Sequence, residues 1–96
     1  MRLANALARR KGETVKVFLM GDAASCAKSG QTLPQGYYSL ERMLKGFRLR
    51  GGETGVCGTC MDARGLTDSD LVEGARRSTL DDLSDWTVWA DKVLVF

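Results

Sequence analysis

The sequence contains no histidine. That removes the commonest general base and the commonest metal ligand. Ser-His-Asp and Cys-His machinery cannot be built from this chain alone. Chemistry is left to Cys, Asp, Glu, Lys, Arg or Tyr. Apolar runs are short: Val17-Phe18-Leu19-Met20 is as long as any, far below a membrane span. The first residues, Met1-Arg2-Leu3-Ala4-Asn5-Ala6, lack the apolar stretch of a signal peptide. Three cysteines are too few, and odd in number, for a disulfide framework. A soluble, cytoplasmic, reducing setting is therefore the expectation. The single proline, Pro34, falls in residues 30–36, which read as a loop.

What is present suits one domain. The chain has 96 residues, 44% hydrophobic and 27% charged. A domain of this size buries roughly 60–65% of its unfolded surface, enough for one modest core. The net charge of +2 hides an asymmetry: residues 1–50 carry +7 and residues 51–96 carry −5. Such a division suits complementarity within the chain or between subunits. No aromatic platform is interleaved with the basic residues, so nucleic acid is not an expected partner.

Residues 2–11 read as a helix, with Leu3 and Leu7 four apart and Arg9-Arg10-Lys11 in its last turn. Gly12 stops it. Residues 14–20 read as a buried parallel strand. Residues 23–29 read as a short helix with Asp22 as its cap. Residues 37–50 give the clearest helix, its stripe formed by Tyr37, Leu40, Leu44 and Phe47. Tyr37 is expected in the core and Tyr38 partly exposed. Residues 53–57 are strand-like, 58–60 form a tight turn, and 66–77 are polar without a clear pattern. Residues 79–90 read as a helix opened by a Thr79/Asp82 capping box, with Trp86 and Trp89 as its anchors. Residues 92–96 read as a last buried strand. Strands alternating with helices predict an α/β domain with a mostly parallel sheet. The chain opens on a helix, so the sheet is expected to be one strand short.

The chemistry gathers at Cys57-Gly58-Thr59-Cys60. In parallel α/β sheets, sites form beyond the carboxyl ends of the strands. Cys57 is predicted there, and so is Asp22, with Cys26 one helical turn further on. Thiolate is the reactive form of cysteine, and cations or backbone N–H groups stabilise it. Gly58 and Thr59 line the turn. Arg64 is close enough in sequence to supply a cation, partly offset by Asp62. Four readings stay open at this point: a persulfide carrier, a Cys57–Cys60 dithiol couple, a metal site, or inert buried thiols. Zinc would need a fourth ligand from an Asp or another subunit.

The sequence resembles the DsrE/DsrF-like family, which includes YchN-like proteins and sulfur-relay subunits. The resemblance runs through Val15-Lys16-Val17-Phe18-Leu19-Met20-Gly21-Asp22-Ala23. It continues through Gly36-Tyr37-Tyr38-Ser39-Leu40-Glu41-Arg42-Met43-Leu44 and Val56-Cys57-Gly58-Thr59-Cys60-Met61-Asp62-Ala63-Arg64-Gly65. The resemblance implies a flavodoxin-like three-layer α/β/α fold and homo-oligomers, trimers or hexamers. It also implies a first strand before the helix at residues 2–11, which is expected to be missing here. It matches Cys57 to the reactive cysteine that ends a central strand in relay subunits. The resulting expectation is a persulfide carrier without cofactor, exchanging sulfur with donor and acceptor proteins. Cys57 carries the sulfur, Cys60 assists or resolves, and Asp22, Cys26, Gly58, Thr59 and Arg64 line the pocket. A non-catalytic oligomeric protein, or a redox or metal-binding one, is the alternative.

Overall fold

The structure, a computed structural model, describes residues 1–31 and 39–96. The loop around Pro34 and the expected places of Tyr37 and Tyr38 lie outside the described residues. Among the described residues, three parallel strands form the sheet in the order β1 (Lys16–Leu19), β2 (Glu53–Cys57), β3 (Ala75–Ser78). Parallel neighbours need crossover connections, and these carry the helices. A 3-10 helix (Gly21–Ala27) and α2 (Leu40–Leu49) lie between β1 and β2. Helix α3 (Gly58–Ala63) and a second 3-10 turn (Asp68–Asp70) lie between β2 and β3. Helix α1 (Arg2–Ala8) precedes the sheet and α4 (Leu80–Trp89) follows it.

Register aligns Leu19 with Val56 and Cys57 with Ser78, so the strands end together on one side. The middle strand carries Gly55 for a steric reason. A Cβ there would meet Ser78 Oγ at 2.8 Å and Phe18 at 3.2 Å. The neighbouring side chains fill the space that residue 55 leaves.

Helix α2, read from the sequence as 37–50, runs over Leu40–Leu49 with Ser39 as its cap: Ser39 Oγ accepts from the Arg42 N–H. It ends at Gly51, whose φ of +85° suits glycine alone. Its inner face buries Leu44 and Phe47. Asn5 ties α1 to α2 by donating through Nδ2 to the Met43 carbonyl. The main cluster holds Ala24, Ala27, Val56, Met61 and Leu66, with Leu19 and Cys60 packed against it. Each large buried side chain here contributes about 1.5–3 kcal/mol. The cluster therefore lies directly beneath the cysteine segment.

Several expectations change. The third strand is Ala75–Ser78, not 92–96. Its Arg76 and Arg77 are exposed, so it carries no apolar signal; charged residues are common on sheet edges. Residues 92–96 pair with nothing in the described sheet, and Val93 to Phe96 are 55–102% exposed. Strand propensity there met no partner strand. Helix α1 stops at Ala8, leaving Arg9-Arg10-Lys11 beyond its last turn. The segment after β1 is a 3-10 helix whose cap is Met20, and Asp22 falls inside its first turn. The Thr79/Asp82 capping box at α4 is present as read from the sequence. Trp86 anchors α4 by meeting Phe18 edge-on at 6.1 Å, and Lys16 Nζ lies over both Trp86 and Trp89. Among the described residues, no helix is long and apolar enough to cross a membrane.

Candidate functional site

Cys57 is the last residue of β2 and the N-cap of α3. The segment predicted as a tight turn is therefore the opening of a helix. That places Cys60 one turn on, at a position whose side chain faces back toward Cys57. Thr59 Oγ1 lies 3.3 Å from Cys57 Sγ. Hydrogen bonds from the Cys60 thiol and then the Thr59 hydroxyl favour the Cys57 thiolate, against a smaller opposing effect of burial. The N–H groups of Cys60 and Thr59 add to them. Together they lower the Cys57 pKa from 9.0 to about 7. About half of the Cys57 population is thiolate at neutral pH on that value. This is the form that attacks sulfur.

Cys60 is held from the other side. The backbone N–H of Gly21 donates to Cys60 Sγ at 3.2 Å. Gly21 follows β1, and its φ of +59° turns the chain there. The ends of two neighbouring strands thus converge on one pair of sulfurs. Gly21 was not among the sequence candidates, because a backbone donor leaves no side-chain signal.

Asp22 and Arg64 were both expected to line the pocket, Arg64 as a cation for the thiol. They are joined instead, by an ion pair at 2.6 Å. Arg64 also donates to the Cys60 carbonyl at 3.0 Å. Its guanidinium is committed to holding α3 onto the segment after β1, and its charge is matched by Asp22. Asp62 likewise does not oppose Arg64. It accepts from both terminal nitrogens of Arg77, each at 2.9 Å. That pairing holds the Asp62 carboxyl below the usual carboxylate range. Arg77 was missed because residues 66–77 gave no periodic pattern. Its only sequence signal was the Arg76-Arg77 pair just ahead of the Thr79 cap.

Cys26 sits near the far end of the first 3-10 helix. A 3-10 helix rises about 2 Å per residue, so Cys26 is roughly 10 Å along the axis from Gly21. The α-helical turn expected there would have been shorter. All three cysteines are free thiols. Among the described residues, no group of three or more Cys, Asp or Glu side chains could hold a metal ion.

A parallel α/β sheet with an activated thiol at a strand's carboxyl end defines a class of small cysteine-bearing α/β proteins. Comparison narrows the class. The model of the DsrE/DsrF-like family matches residues 1–96. Protein YchN of Escherichia coli is 36% identical over 97 residues, spanning 100% of this chain and 82% of YchN. Uncharacterized protein MK0008 of Methanopyrus kandleri is 36% identical over 89 residues, spanning 90% of this chain and 70% of that protein. The crystal structure of ychN protein from E. coli superposes with a TM-score of 0.91, covering 99% of this chain and 81% of that one. The chain belongs to the DsrE/DsrF-like family, and its fold is the α/β, flavodoxin-like one.

Proposed function

We propose that this protein is a sulfur-relay carrier that holds sulfane sulfur on Cys57. The observation that carries the reading is the activated Cys57 thiol, with its pKa lowered to about 7 by donors from Cys60 and Thr59. Membership of a family that includes sulfur-relay subunits supports it. In the step proposed, the Cys57 thiolate attacks the outer sulfur of a donor persulfide. A bond forms between Cys57 Sγ and that sulfur as the donor's own S–S bond breaks. The donor leaves as a thiolate and takes up a proton from solvent. Delivery is the same exchange in reverse, with an acceptor thiolate attacking the outer sulfur on Cys57. Neither direction needs an external oxidant or a bound cofactor. Cys60 donates to Cys57, and Gly21 orients Cys60. The donor and acceptor are thiol-bearing proteins, and the working unit is a homo-oligomer.

Intact-mass measurement after incubation with a persulfide donor tests the reading. One added sulfur is a gain of about 32 Da. The gain is expected in the wild type and absent in Cys57→Ser. Persistence of the gain in Cys57→Ser overturns the assignment.

A second reading has its own support. Cys57 and Cys60 stand at the N-cap and third position of α3, and Cys60 donates to Cys57. This is the placement of a dithiol couple, in which Cys57 attacks a partner's disulfide and Cys60 then displaces the partner's thiolate. A reversible Cys57–Cys60 disulfide in a redox titration would favour it over the carrier.

A further inference from the structure

The relay reading accounts for Cys57, Thr59, Cys60 and Gly21. It leaves Arg77 without a part, although Arg77 stands against the same helix turn. Its neighbour on β3, Ser78, is in register with Cys57. A Cβ built on Gly58 would lie 2.9 Å from Arg77 Nε and 3.0 Å from Cζ. The guanidinium is thus bedded on the residue bonded to Cys57. Its two terminal nitrogens are engaged end-on by Asp62, one turn further along α3. The Nε–H is not part of that pair. A guanidinium held in this fork has little freedom to leave.

Resting on the sulfur-relay reading, we propose that Arg77 is a positioning residue for Cys57. Seated on Gly58, it keeps a cation at the first turn of α3, next to the residue that bears the sulfur, and fits the site to anionic sulfur donors. It also explains the glycine at position 58, where any side chain would displace it. The groups facing this cation are Cys57, Asp62 and, from the second 3-10 turn, Asp68. Those facing Cys57 on α3 are Thr59 and Cys60. Both the thiolate and a persulfide on it are anions, and an incoming donor persulfide is a third. The chemical class selected is a sulfur compound that carries negative charge where it reacts.

The test is alkylation of Cys57 by iodoacetate, an anion, and iodoacetamide, its neutral analogue, each resolved by peptide mass. Arg77→Met is expected to lower the iodoacetate-to-iodoacetamide rate ratio roughly threefold, as for one partly screened charge. Added salt should lower the wild-type ratio in the same direction. Arg77→Lys keeps the charge and should recover part of the ratio. Gly58→Ala should mimic Arg77→Met, and in the Arg77→Met background it should add nothing. An unchanged ratio in Arg77→Met overturns the proposal. Sulfur uptake from a persulfide donor is read separately. Uptake with an unchanged ratio removes the role of Arg77 alone. A lowered ratio without uptake in the wild type removes the relay reading and keeps the anion site.

Discussion

The backbone N–H of Gly21 donates to Cys60 Sγ at 3.2 Å, joining the end of β1 to the first turn of α3. With one acceptor position of Cys60 occupied this way, its S–H is free to turn toward Cys57. Replacing Cys60 with Ala removes the main donor to the Cys57 thiolate. The midpoint of Cys57 alkylation against pH should then rise from about 7 toward the ordinary thiol range, whereas Cys60→Ser should keep part of the shift. Iodoacetamide rates across pH, followed on the Cys57 peptide, check both variants.

The same interactions couple thiol ionisation to folding. The folded pKa of Cys57, about 7, lies below its reference value of 9.0. A group lowered on folding adds stability that is complete above its unfolded pKa. That stability is lost as pH falls through the folded value. Urea midpoints of the wild type and Cys57→Ser should therefore diverge in favour of the wild type between pH about 7 and 9, and converge below that window. A difference that does not change with pH would contradict the hydrogen-bonding scheme.

Much of this arrangement was legible in the sequence, and the exceptions have physical causes. The apolar run of β1, the stripe of α2 and the cap at Thr79 are local signals, and elements formed there, although β1 is half-buried over Lys16–Leu19 and the Ser39 cap of α2 went unread. The placement of Cys57 at a strand end followed from the Val56-Cys57-Gly58 boundary. Strand β3 was illegible because Arg76 and Arg77 face solvent and only Ser78 is buried. Residues 92–96 have strand composition, yet composition cannot supply a neighbouring strand. The pairings Asp22–Arg64 and Asp62–Arg77 join residues far apart in the chain. Which acid meets which base depends on how α3 sits on the sheet.

Arg64 is paired with an aspartate as Arg77 is, but its guanidinium donates to the Cys60 carbonyl whereas that of Arg77 is seated on Gly58. Arg64 is neutralised by Asp22, whose side chain is 102% exposed. An exposed pair of this kind is worth about 0–1 kcal/mol. Arg64→Met should cost no more than about 1 kcal/mol in urea unfolding and leave the Cys57 alkylation profile in place. A large shift in that profile would return Arg64 to the thiol's immediate surroundings.

The core beside the strand start makes a sharper stability prediction. Gly52 is buried, and a Cβ there would overlap the ring of Phe47, itself fully buried. Gly52→Ala should destabilise the fold by about 1–3 kcal/mol, the usual cost of overpacking. Phe47→Leu in the same background should recover part of the loss by opening space. Chemical denaturation of the two single variants and the double variant gives the answer.

The central claim is that Cys57 carries the sulfur. Residue-resolved mass spectrometry of donor-treated wild-type protein, alkylated and digested, tests it most directly. The account predicts the added sulfur, about 32 Da, on the peptide bearing Cys57 and on that residue within it. Sulfur found instead on Cys26, or on Cys60 with Cys57 unmodified, would contradict it.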